Sequence, residues 1–473
     1  MEDELMMEDE LMNAHRHSGI AVFRRGAMVM ATAGLFLILA TSGWAQNFSG
    51  DARAIGMGSA GEQKNFASNL AEESRPYRSI VMPLGLIQVL KDTDIFDPRK
   101  VTFDPVRAME FAANPLHFTF NRNDGDSSEQ LVSDLVNGMV SRDLNDYRGF
   151  IPARNITAQG LLNPSWGKTF RVHHNDDGLF QGFYLGVGPY LAMGTNFSAD
   201  PKLIGLLASS TKQYLSNTSF TLRDTSVGQA AAAVTVGYRA HFAVPGKSTR
   251  GSKHDGLYVA VNYNYLYGLH YEHANIGINL DTDSNGLITL QPTTTPVLVD
   301  RLTSSKGRGS AVDIGTHLIS GRWNFRFAAN GVGNRIDWTG LRAERYSLSS
   351  LLEGLHFDNT STPAPTGAVR VELPVRYSCG GGYNADKWAI DSEMSRGLQG
   401  NEFHGGGEYR LGHLALRGGS RYSREQWNPV GGLGFNLTKN FGVDVAAFST
   451  ATNIERVRKV AMAVSLRFNR AAE

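Results

Sequence analysis

The sequence predicts an all-β fold, specifically a transmembrane antiparallel β-barrel with an N-terminal, partly helical plug or cap. Three observations carry that expectation. From residue 180 to the end, apolar and polar residues alternate in run after run. The N-terminus reads as an export signal, and no second apolar run is long enough for a membrane-spanning helix of about 20 residues. The composition holds 52 Gly, 10% aromatic residues and only 19% charged residues, which suits a large sheet with tight turns. An exported chain that sits in lipid must satisfy every backbone N–H and C=O internally, and without a spanning helix only a closed barrel can do so.

Residues 28–43 are uncharged and mainly apolar; Arg24 and Arg25 precede them and Gly43-Trp44-Ala45 follows. Basic, apolar and small in that order is a secretory signal, with cleavage expected after Ala45. No Cys follows the apolar run, which argues against a lipoprotein anchor. The repeat Met1-Glu-Asp-Glu-Leu-Met6 and Met7-Glu-Asp-Glu-Leu-Met12 has no evident use before a signal and places the start of translation at Met12 or later.

The alternation is regular. Val234, Val236, Tyr238, Ala240 and Phe242 share one face, with Thr235, Gly237, Arg239 and His241 on the other. Trp323–Asn330, Val369–Tyr377 and Val460–Phe468 repeat the pattern, and further runs fall near 182–192, 256–267, 274–280, 310–318, 403–411, 413–421, 431–438 and 441–448. Turn signals at 175–178, 283–286, 384–386 and 438–440 separate many of them. Tyr258, Tyr263, Tyr265, Tyr267, Trp323 and Trp338 are expected near strand ends, as an interfacial girdle.

Residues 46–160 break the pattern and form the expected plug or cap; 161–473 form the barrel. Residues 128–140 have apolar pairs at helical spacing behind Ser128, and 104–113 is a second short helical candidate. Residues 79–90 read as an apolar loop or helix, and 203–215 as a helical insertion between strands.

Two stretches resemble a known family. Asp51-Ala-Arg53-Ala-Ile-Gly56-Met57-Gly58-Ser-Ala60 is similar to the opening of FadL-like outer-membrane proteins, a superfamily of fatty-acid transporters, PorV-type secretion components and TraF-type conjugation-associated proteins. Residues 405–420, 430–435 and 464–468 are similar to the C-terminal hairpins of the same group. The resemblance implies a barrel of about 14 strands with the segment carrying Arg53, Gly56, Met57 and Gly58 in or under the lumen. It also implies a final assembly strand carrying Val464, Leu466 and Phe468. Two departures stand out: the Asn-Pro element expected soon after the opening lies far downstream at Asn114-Pro115, and Phe468 falls five residues before the end. The first leans toward the PorV-like or TraF-like branches.

Chemistry-bearing motifs are sparse, and no catalytic, metal or cofactor residue is nominated. Asp281-Thr-Asp283-Ser-Asn285-Gly286 imitates the first half of a calcium loop, but Pro292 occupies the position of the bidentate carboxylate, so a polar hairpin tip is expected. His173 and His174 alternate across a strand and share a metal poorly with Asp176 and Asp177. His270 and His273 flank Glu272 with no third ligand at suitable spacing. Cys379 is the only cysteine, so no intramolecular disulfide forms, and it reads as a small buried residue. The chain has no P-loop, dinucleotide fingerprint or nucleophile elbow.

Net charge is +1, which gives no field for nucleic acid. Export and fold together place the chain in the bacterial outer membrane, with lipid and the barrel-assembly machinery as partners. It is expected to be a non-enzyme that binds or passes hydrophobic small molecules. A docking barrel for secretion-apparatus or conjugation proteins is the second reading, and a lipid-modifying enzyme the third.

Overall fold

Alternating side chains become long antiparallel ladders in the computed structural model. It describes residues 51–58, 66–73, 77–82, 84, 118–120, 143–147, 155–163, 165–174, 179–243, 255–289, 297–348, 358–398, 400–423, 426–438, 440–450 and 459–469. The expected signal, the helical candidates at 104–113 and 128–140, the turn holding Asp176 and Asp177, and Asn114-Pro115 lie outside the described residues.

In chain order the elements are α1 (Ala52–Gly56), α2 (Phe66–Glu73), β1 (Tyr77–Met82), β2 (Phe118–Phe120), a 3-10 turn at Leu144–Tyr147, β3 (Asn155–Leu162), β4 (Trp166–His174) and β5 (Phe180–Ala199). Then come α3 (Pro201–Ala208), β6 (Ser219–Phe242), β7 (Gly256–Asp281), β8 (Val297–Ser304), β9 (Lys306–Ser320), β10 (Trp323–Thr339), β11 (Arg342–Leu348) and β12 (Asp358–Thr362). The chain finishes with β13 (Val369–Glu372), β14 (Arg376–Asn384), β15 (Trp388–Gly397), β16 (Gly400–Leu411), β17 (Leu414–Ser423), β18 (Gln426–Asn436), β19 (Phe441–Thr450) and β20 (Lys459–Asn469).

All twenty strands join one antiparallel sheet. From β1 and β2 it runs through β20, back down to β14, then β10, β9, β7, β6 and β5, and ends on β3 and β4. Among the described residues no ladder joins β3 or β4 to β1 or β2, so the sheet is not closed there.

Several expectations are corrected. The count of about 14 strands is too low, partly because breaks divide long paths: β8 and β9 are separated by Ser305 alone and lie along the same partner, β7. The run Val369–Tyr377 is cut at Leu373-Pro374-Val375 into β13 and β14, since proline has no N–H for the ladder. Residues 79–82, expected as loop or helix, are strand, pairing Ile80 with Leu466 and Met82 with Val464. The sheet thus draws β1, β2 and most of β3 from the stretch assigned to the plug. The insertion at 203–215 is helical only over Pro201–Ala208, where Asp200 caps Lys202 N–H and Leu203, Leu206 and Leu207 are buried against Phe220, Leu222 and Leu280.

The two faces of the sheet are inverted relative to a water-soluble protein. On β6, Val236 is 52% exposed while Thr235 is 1% exposed. On β7, Val261, Tyr263, Tyr265, Tyr267 and Leu269 are exposed, and Asn262, Asn264 and Leu266 are buried. On β16, Phe403, Tyr409 and Leu411 are exposed, and Glu402, His404 and Glu408 are buried. An apolar exterior and a buried polar interior are what a sheet in lipid presents. Cys379 lies on the exterior, opposite Phe327 and Met394, so the buried reading is wrong: its position in the alternation, not its size, decides its face. The girdle expectation is corrected in the same way. Tyr263, Tyr265, Tyr267 and Trp323 face out, but Tyr258 and Trp338 are buried inside.

The wall is of uneven height. β15, β17 and β19 have 10 residues each, about 34 Å of path, close to what a tilted membrane strand needs. β6 and β7 have 24 and 26, roughly 80–90 Å of path, and rise far beyond the apolar band.

Candidate functional site

The interior is built from side chains of inward parity and divides into a charged section, a polar section and an apolar section.

The charged section surrounds α1. Asp51 is its N-cap, accepting from Arg53 N–H at 3.1 Å and from the hydroxyls of Ser79 and Ser465 at 3.1 and 3.0 Å. Ala52 N–H donates back to Ser465 Oγ at 3.2 Å. Arg53 reaches the wall with a fork: Nε donates to Glu408 Oε2 at 2.9 Å and Nη2 to Oε1 at 3.0 Å. Glu408 also accepts from Arg417 Nε and Arg410 Nε, both at 2.7 Å. Arg417 continues to Asp444 Oδ1 at 2.7 Å, and Arg467 approaches the other Asp444 oxygen at 3.3 Å. The Arg417 side chain is 0% exposed and that of Glu408 2%. A charge so placed survives only when paired, and here each carboxylate bridges several guanidiniums. A second cluster follows along the wall, with Arg376 on Glu402 at 2.8 Å, Ser395 on Glu402 at 3.2 Å, and Arg326 on Asp391.

After α1 the chain lies flat on the wall. Gly58 adopts φ +82, and its carbonyl meets His404 Nδ1 at 3.0 Å. A side chain at Gly406 would strike Met57 O, and one at Gly419 would come within 2.9 Å of Met57 C and Gly58 N. Both wall positions must therefore be glycine for the backbone of 57–58 to approach so closely. Ile55 is buried against Ala446 and Ala463. Of the family-motif residues, Arg53 makes the charged anchor, Gly56 packs on Gly432, and Met57 and Gly58 occupy this cradle. Val464, Leu466 and Phe468 face outward on β20, which is hydrogen-bonded on both edges.

The polar section lies across β6, β7, β9 and β10. Thr235 donates to Asn264 Oδ1 at 2.7 Å, Asn264 to Asp313 Oδ2 at 2.6 Å, and Gly331 N–H to Asp313 Oδ1 at 2.8 Å. Below it α2 packs Phe66, Ala67, Leu70 and Ala71 against Phe180, Tyr258 and Ala260. The Arg239 guanidinium lies 3.6 Å over the Tyr184 ring and 5.0 Å over Phe66, a cation–π sandwich. His241 stacks on Tyr258 at 4.0 Å.

The apolar section is higher, toward the tall rim. Trp338, Ile336, Leu266, Tyr271 and Tyr190 pack together with Ala192, Ala231 and Ala233. Trp338 stacks on Tyr271 at 5.4 Å and donates to Gln229 at 3.3 Å. A side chain at Gly307 would meet the Trp338 ring at 2.7 Å, so the indole lies directly on the sheet. Tyr190 donates to Asn334 at 3.1 Å.

Asp283 closes the 283–286 turn, accepting from Asn285 and Leu287 N–H at 2.8 and 3.0 Å, while Ile288 is buried under α3. His173 lies on β4 beyond a bulge, opposite Gln181. Glu272 sits above the apolar band, 3.3 Å from His270 and 2.8 Å from Arg301; both neighbours hold its carboxyl down to about 2 against the opposing effect of burial.

Several solved structures are similar to the chain. The Pseudomonas putida toluene transporter TodX is 11% identical, covering 71% of this chain and 93% of that one at a TM-score of 0.29. A Pseudomonas aeruginosa FadL homologue is 10% identical, covering 67% and 89% at 0.31. The monoaromatic hydrocarbon channel CymD is 11% identical, covering 78% and 98% at 0.29. No family model and no curated protein matches the chain.

Proposed function

We propose that the chain spans the bacterial outer membrane as a plugged β-barrel that binds or passes hydrophobic small molecules. One observation carries the reading. Inside a wall whose exterior is apolar, the interior is again apolar around Trp338, Tyr271, Ile336 and Leu266, above a charged section occupied by the N-terminal segment. A water-filled pore has no use for a buried indole in its lumen; an apolar passenger does, because apolar lining replaces the water it leaves.

The test uses the full chain in detergent with a hydrophobic fluorescent probe displaced by a small aromatic hydrocarbon or a long-chain fatty acid. Saturable displacement is expected. Trp338→Ala, which removes the indole around which the apolar section packs, should weaken it. Absence of saturable binding by the wild-type chain, in samples that show the heat-dependent gel shift of a folded barrel, would sink the reading.

A further inference from the structure

The exterior of the tall rim changes character just beyond the tyrosines. Tyr263, Tyr265 and Tyr267 on β7 are all exposed, in the aromatic position of a membrane interface. The register then places Tyr267 opposite Arg308 on β9, Arg308 opposite Asp337 on β10, and Asp337 opposite Arg370 on β13. These four form one row across the sheet, with neighbours about 5 Å apart. The adjacent row holds Tyr265, Ser310, Arg335 and Glu372. All point outward, because Gly307, Ile336, Trp338, Val369 and Val371, their alternating neighbours, lie on the interior side. With Lys306, also exposed, four cations face two carboxylates. Arg370 occupies Asp337 with a fork at 2.7 and 3.3 Å. Among the described residues no ion pair engages Arg308 or Arg335, and both are exposed.

We propose that this patch docks the phosphorylated saccharide headgroup of an outer-leaflet lipid. The inference rests on the barrel reading above. It adds a specific surface that no part of the interior requires. The long connections 200–218 and 282–296 leave the tall rim, whereas β9–β10, β14–β15, β16–β17 and β18–β19 are joined at the opposite end by two to four residues, which makes the tall rim the extracellular one. The patch continues the lipid-facing band without a break, so its neighbour at that depth is a headgroup. Guanidiniums on a rigid sheet match a phosphate by paired N–H donors, and tyrosines beside them suit a sugar and the upper acyl chain.

The experiment is native mass spectrometry of the full chain extracted in mild detergent. It is titrated with a bis-phosphorylated glucosamine lipid (lipid A) and, separately, with the same lipid after dephosphorylation. The wild type should prefer the phosphorylated form by about tenfold, through phosphate contacts of Lys306, Arg308 and Arg335. The K306Q/R308Q/R335Q variant, which leaves the Arg370–Asp337 pair intact, should bind the two forms alike. If that variant lacks the heat-dependent gel shift, Arg308→Gln alone should still reduce the preference by about twofold to threefold. Equal binding of both lipids by a wild type that inserts into phosphatidylcholine vesicles overturns this proposal and leaves the barrel standing. Loss of the preference on adding millimolar inorganic phosphate assigns the patch to free anion and also overturns it. Failure of the wild type to insert removes the barrel reading and the docking surface together.

Discussion

Replacing Glu408 by Gln should release the N-terminal segment from the wall. Each carboxylate oxygen accepts two hydrogen bonds: Oε2 from Arg53 Nε and Arg417 Nε, and Oε1 from Arg53 Nη2 and Arg410 Nε. An amide keeps one such oxygen and turns the other into a donor. Whichever way it faces, Arg53 and one wall arginine then meet N–H against N–H. Removing one partner of a buried ion pair costs about 3–5 kcal/mol. Arg417 retains Asp444, and Arg53 is 19% exposed, so a total near the lower end, about 3 kcal/mol, is expected. The share belonging to the Arg53 anchor follows from a double-mutant cycle of Arg53→Met and Glu408→Gln, read by urea unfolding of the barrel in vesicles through its gel shift. Two of the four bonds are Arg53's, which sets the coupling at about 1.5 kcal/mol or more. A coupling below about 0.5 kcal/mol would refute the claim that this contact holds the segment in place.

Three further outcomes follow from the same geometry. Gly419→Val puts a side chain against Met57 and Gly58, so the segment should lift and become protease-sensitive, with a loss of about 1–3 kcal/mol; an unchanged digestion pattern would count against the close packing. Cys379, on the apolar exterior, should react in vesicles with a membrane-soluble maleimide and resist a charged, impermeant one; equal labelling by both would place it in water instead. Glu272 has its carboxyl lowered to about 2 from an ordinary 4.5, so its stabilising effect on the tall rim is complete above the ordinary value and fades as pH falls from 4.5 toward 2. Amide exchange of β7, β8 and β11 should accelerate over that window in the wild type and not in Glu272→Gln, and matching profiles would contradict it.

How much of this was legible depended on parity. Thr235, Asn264, Glu408, Arg417 and Asp444 each alternate with apolar neighbours, so their place on the polar face of their runs could be read from the sequence. The opening motif at Arg53–Gly58 was visible too, but only as a resemblance. Its partners were not: Glu408 lies 355 positions away, and nothing local ties the two. The same parity, applied residue by residue, would have moved Tyr258 and Trp338 out of the girdle and Cys379 onto the exterior.

Alternation, glycine and aromatic content determined an antiparallel sheet with one apolar and one polar face, because successive strand side chains must point opposite ways. The short stop at Pro374 and the helix after Asp200 were equally local matters of a missing donor and a cap. Which face meets water, which carboxylate each arginine finds, and how close residues 57–58 come to the wall were decided only by the folded sheet. Those depend on pairing between strands hundreds of residues apart, and a linear pattern carries parity but not partners.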